Sequence, residues 1–165
     1  MSKPKRLASA MGGETCFVTS STDGRERYFI YSKYTELFID TLYRYRSQGK
    51  DKVHSFVVMP EHFHALITPV GITIERAGQL IKGGYSYRVK TDLKRNYEIW
   101  ERGFTDHRLR VGEFHRFRRY IDENPVKAGL AKAPEDYPYG SASVKYDLDP
   151  PPARLLTAVA KAGGL

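Results

Sequence analysis

The chain has 165 residues, 41% hydrophobic and 13% aromatic, which excludes a disordered polymer and gives one domain enough length for a buried core. Lys and Arg number 27 against 19 Asp and Glu, a formal charge of +8, and this favours a polyanionic partner, nucleic acid before membrane. Cys16 is the single cysteine, so an intrachain disulfide and a cysteine-based zinc site are both excluded. No apolar stretch approaches the ~20 residues that span a bilayer. Residues 1–14, MSKPKRLASAMGGE, are basic but lack the apolar core of a secretory signal. They read as a mobile leader, and the cytoplasm is the expected compartment.

From there the elements succeed one another in order. TCFVTS, Thr15 to Ser20, is short and β-prone, and STDG at Ser21 to Gly24 is turn chemistry leading to Arg25, Arg27 and Tyr28. Ser32 is placed to cap a helix whose apolar residues Tyr34, Leu37, Phe38, Leu42 and Tyr45 recur at helical spacing, with Gly49 as its stop. KVHSFVVM, Lys52 to Met59, is a β-branched and aromatic run. Pro60-Glu61 links it tightly to a second strand, His62 to Thr68, so the two form an antiparallel hairpin. Thr73 caps a second helix striped by Ile74, Ala77, Ile81, Tyr85 and Val89. Gly78, Gly83 and Gly84 each weaken it by about 1 kcal/mol relative to Ala, so the helix bends there or its backbone approaches something closely. EIWERGF, Glu98 to Phe104, reads as a fourth strand. A third helix fits Gly112 to Glu123 and stops at Asn124-Pro125, because a residue before proline avoids helical geometry. The stretch after Pro125 reads as loop, and the end as a tail with at most a short helix.

This order predicts an α+β protein of the ferredoxin-like, split βαβ type. A four-stranded antiparallel sheet carries helices on one face, and an extra C-terminal helix comes after it. One folded domain is expected over 15–143, with a tail over 144–165. Fold of this kind does not give function, and ferredoxin-like sheets also serve as RNA-binding modules.

Two stretches carry chemistry. In MPEHFHALI, Met59 to Ile67, strand alternation sends His62, His64, Leu66 and Thr68 to one face and Phe63, Ala65 and Ile67 to the other. Two adjacent imidazoles can supply half of a metal site. An isolated His-x-His is more often two polar residues on a solvated strand face, and on the strand alone the choice stays open. In GEFHRFRRYIDEN, Phe114, Phe117 and Ile121 cluster towards the sheet, Tyr120 lies at the edge of that face, and Asn124 comes one turn later. A phenol, an amide and several cations beside a metal-prepared strand suit phosphodiester chemistry. The structural alternatives are a core-edge tyrosine and a plain helix C-cap.

MPEHFHALI is similar to the His-hydrophobe-His signature of single-tyrosine, HUH-type transposases. RRYIDENPVKAGL resembles the helix and following loop of their REP-associated tyrosine transposase branch, and IWERGFTDHRLR resembles the segment between. PEDYPYGSAS is similar to that branch's Tyr-Pro-aromatic-Ser-Ser ending, with Gly140 as a departure. The likeness runs from about Thr15 to Ser143. It implies Tyr120 as nucleophile, His62 and His64 as metal ligands with Asn124 as the third, and Mg2+ or Mn2+ as the ion. Single-stranded or hairpin DNA, of the repetitive extragenic palindrome type, is the implied substrate. Cleavage would leave a 5′-phosphotyrosine and a free 3′-hydroxyl, with no ATP required. Insertion-sequence relatives act as homodimers, so a dimer is an open expectation.

Arg25, Arg27, Lys82, Arg88, Lys90, Arg108, Arg116 and Arg119 are the candidate DNA-binding cations. Tyr85 and Tyr87 are rival nucleophiles, better read as packing or base-stacking residues. His54 is a candidate support for the site or a structural histidine, and Asp106 and His107 are placed to orient substrate. The competing functions are a domesticated hairpin-binding protein that does not cut, and an RNA-binding ferredoxin-like domain.

Overall fold

The first strand, β1 (Cys16–Ser21), alternates buried and half-buried side chains, as a strand covered on both faces but flanked by unequal layers must. The computed structural model describes residues 13–156. Most of the expected leader, 1–12, and the end of the expected tail, 157–165, lie outside the described residues. After β1 come α1 (Ser32–Ser47), the hairpin β2 (Asp51–Met59) and β3 (His62–Pro69), α2 (Ile74–Asp92), β4 (Thr105–Arg108) and α3 (Phe114–Lys127). The sheet order is β2-β3-β1-β4, with every adjacent pair antiparallel. That is the expected ferredoxin-like topology.

Helices α1 and α2 cover one face of the sheet. Phe38 and Leu42 of α1 and Ile81 and Tyr85 of α2 bury themselves against Phe56, Val58, Phe63, Ala65 and Ile67. Each large apolar side chain so buried stabilises the fold by roughly 1.5–3 kcal/mol. Ser32, expected as the cap of α1, is its first residue instead. Tyr31 holds the cap position without a side-chain hydrogen bond. Thr73 caps α2 as expected, its hydroxyl accepting from the Arg76 amide at 3.1 Å. Two glycines of α2 are explained by close approach. A Cβ at Gly78 would collide with the Phe104 ring, and one at Gly84 with the Tyr45 hydroxyl.

The fourth strand departs from expectation. Glu98 to Phe104 is an irregular extended segment that touches the end of β1 through a single bridge, Thr22 to Trp100. Its buried apolar residues, Ile99 and Trp100, are consecutive, so no strand face organises them. Gly103, at φ +71°, turns the chain, and the true β4 is the polar TDHR directly after Phe104. An edge strand takes its register from its neighbour, here Cys16 opposite Arg108 and Thr19 opposite Thr105, and needs no apolar stripe.

The extra helix, α3, covers the other face of the sheet. Phe114 and Ile121 bury themselves against Val57, Met59 and Leu66 in a second core. A register shift between Val53 and Ser55 flips the side-chain parity of β2, so that Val53 and then Phe56 and Val58 face α1 and α2 while Val57 and Met59 face α3. Helix α3 also runs on through Asn124-Pro125, where a stop was expected. The stop lies at Gly129, φ +75°. There the Gly129 amide donates to the Val126 carbonyl at 3.0 Å and the Leu130 amide to the Pro125 carbonyl at 2.8 Å, a Schellman closure. Those bonds and the burial of Pro125 outweigh the local disfavour for helix before proline.

Beyond α3 the chain returns along the free edge of β2. The Val58 amide donates to the Tyr139 carbonyl and the Ser141 amide to the Phe56 carbonyl, both at 2.9 Å. Asp149, within the expected tail, accepts from Arg46 Nε at 2.9 Å and from the Val53 amide at 2.8 Å. The strap shields an edge that would otherwise invite pairing with other chains.

Beside it Asp51 is buried with Oδ1 unpartnered, and burial followed by the neighbouring Asp149 charge pushes its carboxyl up from 3.8 to about 7. A raised folded-state value means the stability this group contributes is complete below 3.8 and is lost as pH rises through 7. Asp51→Asn, which cannot ionise, is expected to raise stability by roughly 1–3 kcal/mol at pH 8 and to change little at pH 4, read from urea midpoints at the two pH values. An equal effect at both pH values would contradict the assignment.

Candidate active site

The α3 face of the sheet places four side chains from three elements around one point. In the sheet register Thr19 stands opposite His64, Ser21 opposite His62, and Phe17 opposite His107. His64 Nδ1 and Thr19 Oγ1 are 2.7 Å apart, and His62 Nδ1 lies 2.9 Å from Glu61 Oε1. With Nδ1–H donating to these oxygens, each ring is left with its Nε2 lone pair unengaged. The two rings are 4.7 Å apart between centroids, as adjacent outward positions of one strand require.

Burial sets their protonation. Loss of solvent, then the neighbouring His62, pulls His64 down to about 3, and burial also lowers His62 despite the opposing pull of Glu61. Both imidazoles are therefore neutral near pH 7, the form that donates a lone pair to a metal. A carboxylate on the far nitrogen of a metal-binding histidine orients the ring and raises its basicity, so Glu61 is placed to orient His62 if that ring holds an ion. These two histidines fit a divalent cation as two of its ligands. Among the described residues no group of three His, Cys, Asp or Glu side chains is arranged to hold an ion, so an ion bound here would take its further ligands from amide, water or substrate oxygens.

Tyr120 meets the histidines across the cleft. Its ring packs edge-on against His64 at 5.4 Å and Phe17 at 5.8 Å, yet the residue is 44% exposed. Phe17 fixes this geometry by stacking on His64 at 5.2 Å while touching Phe117 of α3 at 5.0 Å. Together with His107, which stacks on Phe117, and Arg116, these groups line a cleft of about 670 Å³. Lys127 lies 6.0 Å from the centre of the Tyr120 ring. Asn124 is half-buried one turn beyond Tyr120, inside the helix rather than capping it. No hydrogen bond ties its side chain to either imidazole.

The remaining candidates divide by face. Arg116 lines the cleft, Arg119 borders a separate hollow with Arg118, Asp122 and Glu135, Arg108 ends the adjacent strand β4, and Arg25 reaches Glu61 at 3.6 Å. Arg27 is exposed in the loop after Arg25. Lys82, Arg88 and Lys90 lie on α2, across the sheet from the histidines. There Lys82 donates to the Glu101 and Gly103 carbonyls, and Arg88 pairs with Asp40 at 2.7 Å. Tyr85 is fully buried in the α2 core and donates to the Tyr34 carbonyl at 3.0 Å, so it has no route to a substrate at this cleft. Tyr87 is exposed on α2, also across the sheet. His54 is structural, held between the Asp149 carbonyl at 3.1 Å and Thr68 Oγ1 at 2.7 Å. Asp106 and His107 both line the cleft. Phe17, Thr19 and Glu61 were not singled out from the sequence. A Phe-x-Thr on the strand paired with His-x-His was the available signal.

No protein-family model matches the chain, and no curated protein matches it. Solved structures do, and they share its fold. One is a REP-associated tyrosine transposase bound to a REP hairpin, 24% identical, covering 92% of this chain and 92% of that one at a TM-score of 0.68. Another is a protein assigned as a transposase from Deinococcus radiodurans R1, 17% identical, covering 74% of this chain and 97% of that one at a TM-score of 0.52.

Proposed function

We propose that this protein cuts and rejoins single-stranded DNA at REP-like hairpins through a covalent bond to Tyr120. The observation that carries the reading is the edge-on contact of an exposed phenol with one of two neutral imidazoles, in a cleft also lined by Arg116 and His107. The DNA-bound state of the REP-associated transposase supports hairpin DNA as the partner.

In the cut, Tyr120 Oη forms a bond to the scissile phosphorus as the bond to the 3′ oxygen breaks. The products are a 5′-phosphotyrosine and a 3′-hydroxyl, and the proton lost by the phenol matches the one gained by the 3′ oxygen. Attack by a 3′-hydroxyl on the phosphotyrosine reverses the step, so the bond energy is conserved. His62 and His64, with Asn124 as third protein ligand, would hold a Mg2+ or Mn2+ ion, which supplies charge neutralisation on the phosphate. Glu61 and Thr19 fix the imidazoles through their Nδ1 atoms. Arg116, paired with Glu113 at 2.6 Å, lines the cleft, and Phe17 packs against both the phenol and the His64 ring.

The test is incubation with a labelled hairpin carrying single-stranded flanks, then denaturing electrophoresis. A labelled band at the mass of the protein plus DNA is expected with Mg2+ or Mn2+ and not with EDTA. Hairpin binding without such a band under any metal would favour the non-cutting, domesticated reading.

A further inference from the structure

The turn between β4 and α3 builds a polar cluster against the cleft that the reaction as described leaves without a role. Glu113 is its hub. Its Oε1 accepts from the Arg110 amide at 2.7 Å and lies 3.3 Å from His107 Nε2, and its Oε2 accepts from Arg116 at 2.6 Å. The Arg110 amide, then His107 and Arg116, hold the Glu113 carboxyl below the usual carboxylate range against the opposing loss of solvent. With Nε2–H donating to that carboxylate, the His107 ring keeps its Nδ1 lone pair. A carboxylate behind an imidazole is the arrangement that fixes the ring in a proton-accepting tautomer.

His107 stands opposite Phe17 in the sheet register and stacks on Phe117 at 5.0 Å, while Phe17 meets the Tyr120 ring edge-on at 5.8 Å. Imidazole and phenol therefore line one cleft, and the His107 side chain is 45% exposed. Attack by a phenol needs a base, because phenols are un-ionised near neutral pH and the proton must leave as the bond to phosphorus forms. The other groups about Tyr120 are poorly suited. His62 and His64 have their Nδ1 atoms engaged and keep Nε2 for an ion. Lys127 is paired with Glu123 at 3.8 Å, and the guanidinium groups of Arg108 and Arg116 accept no proton. Carboxylates are as a class weaker bases than imidazole, which sets Asp106, the neighbour of His107 on β4, behind it.

Resting on the DNA-cleavage reading, we propose that His107, held by Glu113, is the general base of that reaction. Its Nδ1 takes the phenolic proton as Tyr120 Oη bonds to phosphorus. The bond to the 3′ oxygen breaks, and that oxygen takes a proton from water, releasing hydroxide to solvent. In rejoining, the 3′-hydroxyl attacks and gives its proton to solvent, and the imidazolium returns its own to the departing phenolate. Glu113 orients the ring and stabilises the imidazolium between the two steps, so the pair stores the proton while the DNA is covalently held.

The experiment is single-turnover cleavage of a labelled hairpin with single-stranded flanks, at saturating DNA and Mg2+, across a pH series spanning the imidazole range. The parent rate is expected to rise with pH through that range and then level off. His107→Ala should cleave roughly 100-fold more slowly near pH 7, keep hairpin affinity within about threefold, and show a rate that goes on rising above the parent's plateau pH. Added imidazole should speed His107→Ala at least about tenfold and leave the parent unchanged, a response that a purely structural role would not give. Glu113→Gln should move the parent's midpoint to lower pH, since the imidazolium loses its carboxylate. Three results would each overturn the assignment while the adduct still forms: His107→Ala cutting at the parent's rate, His107→Ala slowed but with the parent's pH profile and no response to imidazole, or a parent rate that falls as pH rises through the imidazole range. The last would make His107 a cation acting on phosphate. A parent that yields no adduct at any pH removes the cleavage reading, and this assignment with it.

Discussion

Tyr120→Phe should abolish the covalent adduct and slow strand cleavage by at least about a thousandfold, while hairpin affinity stays within about threefold of the parent. The substitution removes one atom, the oxygen that must bond to phosphorus. The ring contacts with His64 and Phe17 remain, and the half-exposed site leaves no buried polar partner stranded. A rate loss without an affinity loss is the signature of an interaction made only in the reacting state. Cleavage that persists in the phenylalanine variant would place the nucleophile elsewhere. Tyr85 is then the poorer candidate, since its hydroxyl is buried across the sheet.

The second large effect is graded across the histidine strand. His62→Ala should lower cleavage by at least about a hundredfold, because it removes one of the two imidazoles proposed to hold the ion. Glu61→Gln keeps the ring and weakens only its orienting partner, so a loss of roughly 10- to 100-fold is expected, partly recovered at high Mn2+. His64→Ala should match His62→Ala in activity but add a stability cost of roughly 1–3 kcal/mol. It leaves Thr19 Oγ1 without its partner and opens space beneath Phe17. Steady-state cleavage rates over a Mn2+ series check the order. Parent-like rates and metal dependence in His62→Ala would remove the ion from this strand.

Much of this architecture was legible because strong patterns coincided with strong local signals. The 62–68 strand alternates cleanly, and the structure keeps its two parities apart, His62 and His64 towards α3, Phe63 and Ala65 towards α1 and α2. Helix α2 announced itself by Thr73 and its stripe of buried residues. What escaped was set by tertiary partners. TDHR has no apolar face and is a strand only because β1 offers it a ladder. Pro125 predicts an end to α3, but a rule about proline takes no account of the closure at Gly129 and Leu130 or of the core that buries the ring. That longer helix matters for the site, since it places Asn124 inside the helix, one turn from Tyr120, and removes its reading as a cap. Glu61 and Thr19 were invisible as site residues because their role depends on which strand pairs with which.

Charge was the bluntest guide. A net +8 pointed to a polyanion but not to a face. Lys82 and Arg88 prove to be engaged in holding the 98–104 segment and the α1–α2 contact, whereas Arg116 lines the cleft, paired with Glu113 at 2.6 Å. Among the described residues no helix is long and apolar enough to cross a membrane.

The most direct measurement is peptide mapping of the adduct. The protein is incubated with flanked hairpin DNA and Mn2+, the DNA is trimmed by nuclease, and the digest is analysed by mass spectrometry. A 5′-nucleotidyl phosphate is predicted on the peptide containing Tyr120 and on no other tyrosine peptide. A nucleotide carried by the peptide of Tyr31, Tyr87 or Tyr97 would contradict the assignment of Tyr120 as nucleophile.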